Sequence, residues 1–337
     1  MEASIMSVEM AEQPARLVGL IERRNDVATM VAPLLEGVAG TVIVARGSSD
    51  HAATTGRYLL EMATRRPVAS ASPSIQTIYR ADVDFSGYLV VAVSQSGRTP
   101  EIATYIERAS EAGARTIAIT NDPSSPLADI ADAVVDLGAG EERAIPATKT
   151  VTAELVAFAL LAAAAGEDPG DGAWLALPEQ VASVLGDAVP MDELAEWLAD
   201  ATRLATVARG PLAGAAEETA LKLQETASLL ATAFSAADLR HGPIVLASSG
   251  IRVLALAHPG PAADDVLDLC GQLTMRGADV RLLGPVPGAV CGWHAEAPEM
   301  LAPVLAVCRG QQLALALALR LGLDPDRPLG LSKVTAT

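Results

Sequence analysis

The sequence predicts an α/β fold of two similar tandem domains, each a parallel β-sheet covered on both faces by helices. Three observations lead to this prediction. Short, continuous apolar runs, which are typical of buried parallel strands, alternate with helical patterns along the chain. Hydroxyl-rich turns follow two of these runs, at positions 46–50 and 94–99. Segments of the first half also recur in the second half at a nearly constant spacing, which indicates a duplication.

In the first half, the spacing of apolar residues predicts where helices and strands lie. Helical spacing of apolar residues predicts helices over 6–25 and 27–35. Apolar, β-prone runs predict the strands that come next, at 41–45, 68–71, 88–93, 116–120 and 133–137. Helices are predicted between and after these strands, at 51–64, 74–79, 100–112 and 151–165, the last one Ala-rich and buried. Segment 121–126 is predicted to be a loop.

The second half repeats the first at an offset of 163 or 164 residues. Segment 44–47 recurs at 207–210, 91–97 aligns with 254–260, and 113–114 recurs at 277–278. Further helices are predicted at 178–185, 191–201 and 217–229. Turn-forming residues at 166–172 favour a boundary there. We therefore expect three parts: N-terminal helices with the first domain at 1–165, a second domain at 166–324, and a C-terminal tail at 325–337.

The turn Ser94-Gln95-Ser96-Gly97-Arg98-Thr99 joins a predicted strand to a predicted helix. Its hydroxyls and the first N–H groups of the helix favour an anion such as a phosphate ester, although an ordinary N-cap has the same composition. Gly47-Ser48-Ser49 follows another strand, and parallel sheets bind ligands at such carboxyl ends. Neither a P-loop nor a dinucleotide fingerprint is present, which leaves a small phosphorylated metabolite. The second copy has Ala257-His258-Pro259 instead, so only the first is expected to hold the anion.

Three further features could carry chemistry. Glu218, Lys222 and Glu225 share one helix face, which fits either a proton-transferring carboxylate or an exposed ladder of ion pairs. His241 precedes Gly-Pro and could exchange a proton near neutral pH, although a lone histidine is more often structural, as we expect for His51, His258 and His294. Lys333 lies in a tail with little other charge. It could act on a carbonyl if the tail docks, or extend into solvent.

Composition excludes several classes of function. The formal net charge is −17, which disfavours nucleic acid and anionic membranes as partners. The three cysteines and four histidines lack the spacing of a metal motif, so a structural zinc site is not expected. No motif for a cofactor is recognised either, and none is expected. No basic, apolar leader is recognisable at the N-terminus, and an odd cysteine count suits a reducing compartment. A cytoplasmic protein that binds a small molecule is the expectation.

Taken together, these motifs resemble the sugar isomerase (SIS) domain family. The matching segments occur in the family's order, at 46–51, 94–100, 141–149, 221–225, 241–243 and Lys333. The chain is similar to the isomerase half of glucosamine-6-phosphate synthase and closer to stand-alone type II glucosamine-6-phosphate deaminases. The resemblance implies two tandem SIS domains, each with a flavodoxin-like three-layer αβα architecture, and a chemistry without metal.

The resemblance also implies a role for each site residue. The phosphate would be held by residues of the two turns, namely Gly47, Ser48, Ser49, Ser94, Gln95, Ser96 and Thr99. The loop that contains Ile145 and Ala147 would close on the sugar. Glu225 would move the proton between C1 and C2, with Lys222 and Glu218 nearby. His241 would assist ring opening in the partner subunit of a homodimer, and Lys333 would act on the open-chain carbonyl.

Three positions depart from the family pattern: Asp238 replaces Glu, Gln224 replaces the synthase's Lys, and Ala147 replaces its Ser. The cysteine nucleophile of a glutaminase domain is also missing, since the first cysteine is Cys270. We therefore expect a deaminase or isomerase that converts glucosamine 6-phosphate to fructose 6-phosphate and ammonia. The alternatives are an isomerase or deglycase acting on another 6-phosphosugar, and a non-catalytic sugar-phosphate sensor.

Overall fold

The structure, a computed structural model, describes residues 3–328, 330, 331 and 333. They form two compact units, each with its own parallel sheet. The first-sheet unit comprises Ala15–Glu142, Lys149–Leu175 and Lys333. The second-sheet unit comprises residues 3–14, Arg143–Thr148 and Ala176–Leu331. The N-terminal helix α1, Ile5–Glu22, and the later helix α8, Asp171–Gly186, each contribute residues to both units.

The first-sheet unit contains five parallel strands in the order β2-β1-β3-β4-β5. They are β1 Gly40–Val44, β2 Val68–Ser70, β3 Tyr88–Val93, β4 Arg115–Thr120 and β5 Ala133–Asp136. The central strands are buried on both faces, as their continuous apolar runs predict. Strand β1 pairs directly with β3, with Val44 opposite Ala92. The turns that follow these two strands therefore leave the same edge of the sheet.

Among the described residues, six helices accompany this sheet. They are α2 Arg24–Leu35, α3 Ser48–Thr64, α4 Ser74–Thr77, α5 Pro100–Glu111, α6 Pro126–Ile130 and α7 Lys149–Ala164. Nearly every side chain of α7 is buried, as predicted from its alanine-rich sequence. Helices α3 and α7 pack closely, because a Cβ added at Gly56 would lie 2.4 Å from the Phe158 ring. No larger residue fits there without a shift.

The second-sheet unit repeats the topology of the first. Its strands are β6 Arg203–Ala208, β7 Leu230–Ser235, β8 Arg252–Leu256 and β9 Asp279–Leu283, in the order β7-β6-β8-β9. This is the order of β2-β1-β3-β4, so the predicted duplication is confirmed. Its helices are α9 Val189–Leu198, α10 Ala213–Ala227, α11 Ala236–Arg240, α12 Ala263–Met275 and α13 Ala302–Arg320. Short 3₁₀ turns occupy Gly210–Leu212 and Pro243–Ser249.

Helix α13 is the core helix of the second-sheet unit. It packs against α10 so closely that a Cβ on Gly310 would lie 2.3 Å from Thr219 Oγ1. By length and composition it is the one helix among the described residues that could span a membrane. However, 83% of its apolar window is buried, and it carries Arg309, which donates to the carbonyls of Val184 and Gly292. These contacts are those of a helix buried inside a protein.

Several predicted boundaries were wrong. Helix α3 begins at Ser48 and not at His51, so both serines lie in its first turn. The loop predicted at 121–126 ends in an additional short helix, α6, which Ser125 caps by accepting the N–H of Ala128. Helix α8 begins at Asp171, and Pro178 lies inside it instead of starting it. Helix α10 begins at Ala213, earlier than predicted, because its first turns are apolar and carry no capping residue.

Candidate functional site

The turn after β3 is held in one conformation by its own polar groups. Ser94 Oγ lies 3.3 Å from Thr99 Oγ1, and the Arg98 N–H donates to Ser96 Oγ at 3.2 Å. The carbonyl of Gln95 accepts the N–H of Asn121 at 3.0 Å. Thr99 is the N-cap residue of α5, and Pro100 occupies the first helical position. The hydroxyls are thus gathered at a helix N-terminus, as an anion site requires.

Gly97 is what allows this turn to pack. Its φ of +61° lies in the left-handed region, and a Cβ there would be 2.0 Å from Ser125 Oγ. The backbone of Gly97 also accepts the N–H of Leu127 at 3.2 Å. No other residue type could adopt this conformation without displacing Ser125, so the glycine fixes where the hydroxyls of the turn lie.

The turn after β1 offers a second helix N-terminus at the same edge of the sheet. Gly47 has a φ of +59° and leads into α3 at Ser48. The Ser49 hydroxyl is buried and donates to Glu154 Oε1 on α7 at 2.8 Å. Because that hydroxyl proton is engaged by a carboxylate, an anion would meet the N–H groups of Ser48 and Ser49.

The arginines near these turns pair with carboxylates. Arg46 donates to Glu101 Oε2 through Nε at 2.9 Å and Nη2 at 2.8 Å. Arg98 donates to Asp122 Oδ2 at 2.9 Å. Hydrogen bonds from Ser124, and to a lesser extent this one from Arg98, lower the pKa of Asp122. In this arrangement the turns offer an anion mainly dipoles and hydroxyls.

Lys333, in the C-terminal tail, is docked within the first-sheet unit. Its Nζ donates to Glu142 Oε2 at 2.8 Å. Glu142 also accepts the Thr150 N–H at 3.1 Å and the Thr150 hydroxyl at 2.8 Å. The alternative of a lysine extended into solvent is therefore wrong. The rest of the tail beyond Leu331 lies outside the described residues.

Helix α10 carries the predicted row of Glu218, Lys222 and Glu225 in the second-sheet unit. Lys222 Nζ lies 3.3 Å from Glu218 Oε1 and also donates to Glu225 Oε2. The side chains of Lys222 and Glu218 are 1% and 2% exposed, and that of Glu225 is 18% exposed. Burial alone would lower the pKa of Lys222, but the two carboxylates outweigh it and raise it. An exposed ladder of ion pairs, the alternative interpretation, is therefore excluded.

The other predicted residues of the second-sheet unit lie on loops and helix ends. His241 is exposed at the C-terminal end of α11, where its N–H donates to the Asp238 carbonyl at 3.1 Å. Gly242, with a φ of +123°, turns the chain away immediately after it. Ile145 and Ala147 are half-buried, and the Ile145 N–H donates to the carbonyl of Asp326 at 3.4 Å. The sequence-predicted site is thus divided between the two units.

Four further carboxylates accept hydrogen bonds that the sequence did not predict. Glu142 and Glu154 accept the bonds described above. Glu9 on α1 accepts the N–H groups of Arg143 and Ala144. Asp326 accepts the first N–H groups of α1 with both carboxylate oxygens, each at 2.7 Å. A usable signal existed for Glu154, because a lone carboxylate in an otherwise apolar helix needs a buried partner. The other three carboxylates gave no such signal, because their partners are distant in sequence or are backbone groups.

In the second-sheet unit, the turn equivalent to Ser94–Ser96 is filled by a histidine. His258 is buried, accepts the Trp293 Nε1–H at Nδ1 (3.0 Å) and donates from Nε2 to the Ala297 carbonyl (2.8 Å). Burial lowers its pKa, which favours the neutral ring. Both ring nitrogens are used, as expected for a structural histidine. Among the described residues, no group of three or more His, Cys, Asp or Glu side chains could hold a metal ion.

Comparison with known proteins identifies the family. The SIS domain model matches residues 40–164 and 197–283, one match in each half of the duplication. The chain belongs to the SIS domain family. Each SIS domain contains one of the two parallel sheets, and the first contains the hydroxyl-rich turns.

Relatives and solved structures agree with this assignment. Glutamine–fructose-6-phosphate aminotransferases (isomerizing) from Symbiobacterium thermophilum and Pyrococcus horikoshii are each 32% identical, over 98% and 97% of this chain. The chain spans 58% and 57% of their lengths. A proposed phosphosugar isomerase from Silicibacter pomeroyi DSS-3 superimposes with a TM-score of 0.88 at 31% identity, covering 96% of this chain and 100% of the other. A glucosamine-6-phosphate deaminase from Thermotoga maritima has a TM-score of 0.72 at 22% identity, covering 96% and 100%, and shows the shared fold alone.

Proposed function

We propose that this SIS protein is a phosphosugar isomerase-type enzyme that deaminates glucosamine 6-phosphate to fructose 6-phosphate and ammonia. The observation that carries the proposal is the row on α10. Glu218 and Lys222 are closed off from solvent, whereas Glu225, paired with the same lysine, keeps 18% of its side chain exposed. A carboxylate that is partly reachable and oriented by a buried cation is suited to moving a proton. The names of the relatives support phosphosugar isomerisation.

The chemistry assigns a different task to each group of residues. The turns at Ser48–Ser49 and Ser94–Thr99 would bind the phosphate through hydroxyls and helix N-termini. Glu225 would take the proton from C2 of the open-chain amino aldehyde and return it to C1. The product is an imine at C2, which water hydrolyses to the ketone with release of ammonia. Glucosamine 6-phosphate and water thus give fructose 6-phosphate and ammonia, with no electrons gained or lost.

Lys333 and His241 complete the proposal. Lys333 would act on the open-chain carbonyl, and Lys222 would steady the negative charge on Glu225. His241 would assist ring opening in the partner subunit of a homodimer. No step of the proposed reaction uses a metal or a cofactor. We propose a cytoplasmic location because the substrate class is a phosphorylated metabolite.

The test is to incubate the purified protein with glucosamine 6-phosphate and to measure ammonia and fructose 6-phosphate together. We expect the two products in equal amounts, without added glutamine or metal. The reverse reaction, from fructose 6-phosphate and ammonium, should give glucosamine 6-phosphate at the same site. Absence of ammonia from the wild-type protein, at substrate concentrations that stabilise it against unfolding, would contradict deamination.

A second candidate is isomerisation or deglycation of another 6-phosphosugar. Ala147 favours it, because this position carries no hydroxyl where the synthase pattern has one, and it lies on the loop proposed to close on the sugar. A panel of 6-phosphosugars assayed for aldose–ketose conversion separates the two candidates. Stabilisation by a sugar phosphate without any turnover across the panel would instead indicate a sensor.

The proposed dimer has its own test. Glu225→Gln and His241→Asn proteins, each inactive alone, are mixed and allowed to exchange subunits. If His241 acts in the partner subunit, each mixed dimer has one intact site, and about a quarter of wild-type activity should return. If His241 acts within its own chain, no activity returns.

A further inference from the structure

Lysine is rare in this protein. The sequence has 41 acidic residues but only three lysines, Lys149, Lys222 and Lys333. Lys149 and Lys222 are at most 1% exposed, whereas the Lys333 side chain is 24% exposed. Lys333 is therefore the one lysine whose amine a soluble molecule can reach. The group that holds this amine therefore determines where the amine can react.

The group that holds it is Glu142, whose side chain is fully buried. Its Oε2 accepts from Lys333 Nζ and from the Thr150 hydroxyl, each at 2.8 Å, and its Oε1 accepts the Thr150 N–H at 3.1 Å. Thr150 is the second residue of α7, so the carboxylate lies at the N-terminus of a 16-residue helix. The positive end of the helix stabilises negative charge there. Glu142 is thus a fixed, preoriented anion.

We propose that Glu142 is a positioning residue, which fixes the amine of Lys333 in a single place. A free lysine side chain samples many rotamers, and this freedom is removed when the ammonium is bonded to a rigid carboxylate. A charge-assisted hydrogen bond to a buried carboxylate is stronger than an exposed ion pair. The Glu142 side chain has no exposed surface, so it acts through Lys333. The part of this proposal that concerns catalysis rests on the proposed function of Lys333.

Amine labelling tests the positioning role without any assay of activity. The full chain is trace-labelled with acetic anhydride at one pH, and the Lys333 peptide is quantified by mass spectrometry. We expect Glu142→Gln to raise the labelling rate at Lys333 by about tenfold, since a neutral amide replaces the charged acceptor and leaves a weaker hydrogen bond. Thr150→Val, which keeps the ion pair, should change the rate by less than about threefold. Labelling of Glu142→Gln at the wild-type rate would overturn the proposal.

Two further variants separate positioning from simple anchoring of the tail. Glu142→Asp keeps the charge on a shorter side chain, and we expect its labelling rate and kcat to lie between those of wild type and Glu142→Gln. If Glu142→Gln does not fold, Glu142→Asp still tests whether Glu142 positions Lys333. Lys333→Arg keeps a cation for Glu142 but lacks the amine, so kcat should be lost while the protein remains as stable as wild type. A stable, fully active Lys333→Arg would show that the pair only anchors the tail.

Kinetics complete the test. In Glu142→Gln we expect kcat to fall to about one tenth of the wild-type value or below. The KM for the phosphosugar should change by less than about threefold, because the turns that bind the phosphate are untouched. A raised KM at unchanged kcat would contradict a positioning role. If labelling responds as expected but the wild-type protein has no activity, the proposed function fails and the link between Glu142 and Lys333 stands.

Discussion

Lys222 and Glu218 form a buried ion pair on α10, with Nζ and Oε1 3.3 Å apart and both side chains closed to solvent. Glu225 contacts the same ammonium from the next turn of the helix. Removing one partner from such a cluster leaves charge buried without its counterion, which costs far more than the loss of a surface pair. This relationship leads to the first prediction.

Lys222→Met should lower the free energy of unfolding by about 3–5 kcal/mol, because two carboxylates lose their shared cation in a buried site. Arg24→Met is the matched control. Arg24 pairs with Asp171, which is largely exposed, so its loss should cost less than about 1 kcal/mol. Urea unfolding of the two variants gives the comparison. Equal losses would mean that the α10 cluster behaves like a surface pair.

Glu225→Gln should lower kcat about 10²- to 10⁴-fold with little change in KM, because the amide keeps the shape but cannot accept the proton. Glu179→Gln, on the exposed face of α8, is expected to leave both constants unchanged. Steady-state assays of ammonia release give kcat and KM for the two variants. A Glu225→Gln enzyme with wild-type kcat would remove Glu225 from the mechanism while leaving phosphate binding untouched.

Gly97→Ala should disturb the turn Ser94–Thr99, and Gly87→Ala should not. Both glycines have a positive φ, which costs alanine about 1–2 kcal/mol. Only at Gly97 does the new methyl group also meet a neighbour, Ser125 Oγ at 2.0 Å; at Gly87 nothing lies within 4 Å. We expect both variants to be less stable, but only Gly97→Ala to bind inorganic phosphate at least about tenfold more weakly. Calorimetric titration of both variants with inorganic phosphate measures the difference in binding.

His258 should make stability depend on pH just below its ordinary pKa. Burial lowers the pKa of His258 in the folded protein, so the unfolded chain takes up the proton first as the pH falls. The contribution of the neutral ring to stability is complete above about pH 6.5 and declines as the pH falls below that value.

The comparison is between the wild-type protein and His258→Gln. A neutral glutamine at 258 should flatten the fall in unfolding free energy between about pH 6.5 and 5. An unchanged slope in His258→Gln would show that another group is responsible.

Much of the fold could be predicted from the sequence because its signals are local or periodic. Continuous apolar runs give the strands their positions, and Tyr88–Val93 was predicted with its observed bounds. The repeat at 163 residues gives two sheets of the same strand order. Errors occurred where a local signal was weak, as at Pro178, which is tolerated inside α8, and at Ser48, which starts α3 without a side-chain cap.

The sequence by itself determined which residues share a helix face or a turn, because the spacing of Glu218, Lys222 and Glu225 and of Ser94 to Thr99 is a property of the chain. It left undecided whether the α10 row faces solvent or core. Tertiary structure decided that by packing α10 against α13. It also joined Lys333 to Glu142, 191 residues away, and His258 to Trp293. The physical reason is that the strength of a charge or hydrogen bond depends on burial, and burial is set by residues distant in sequence.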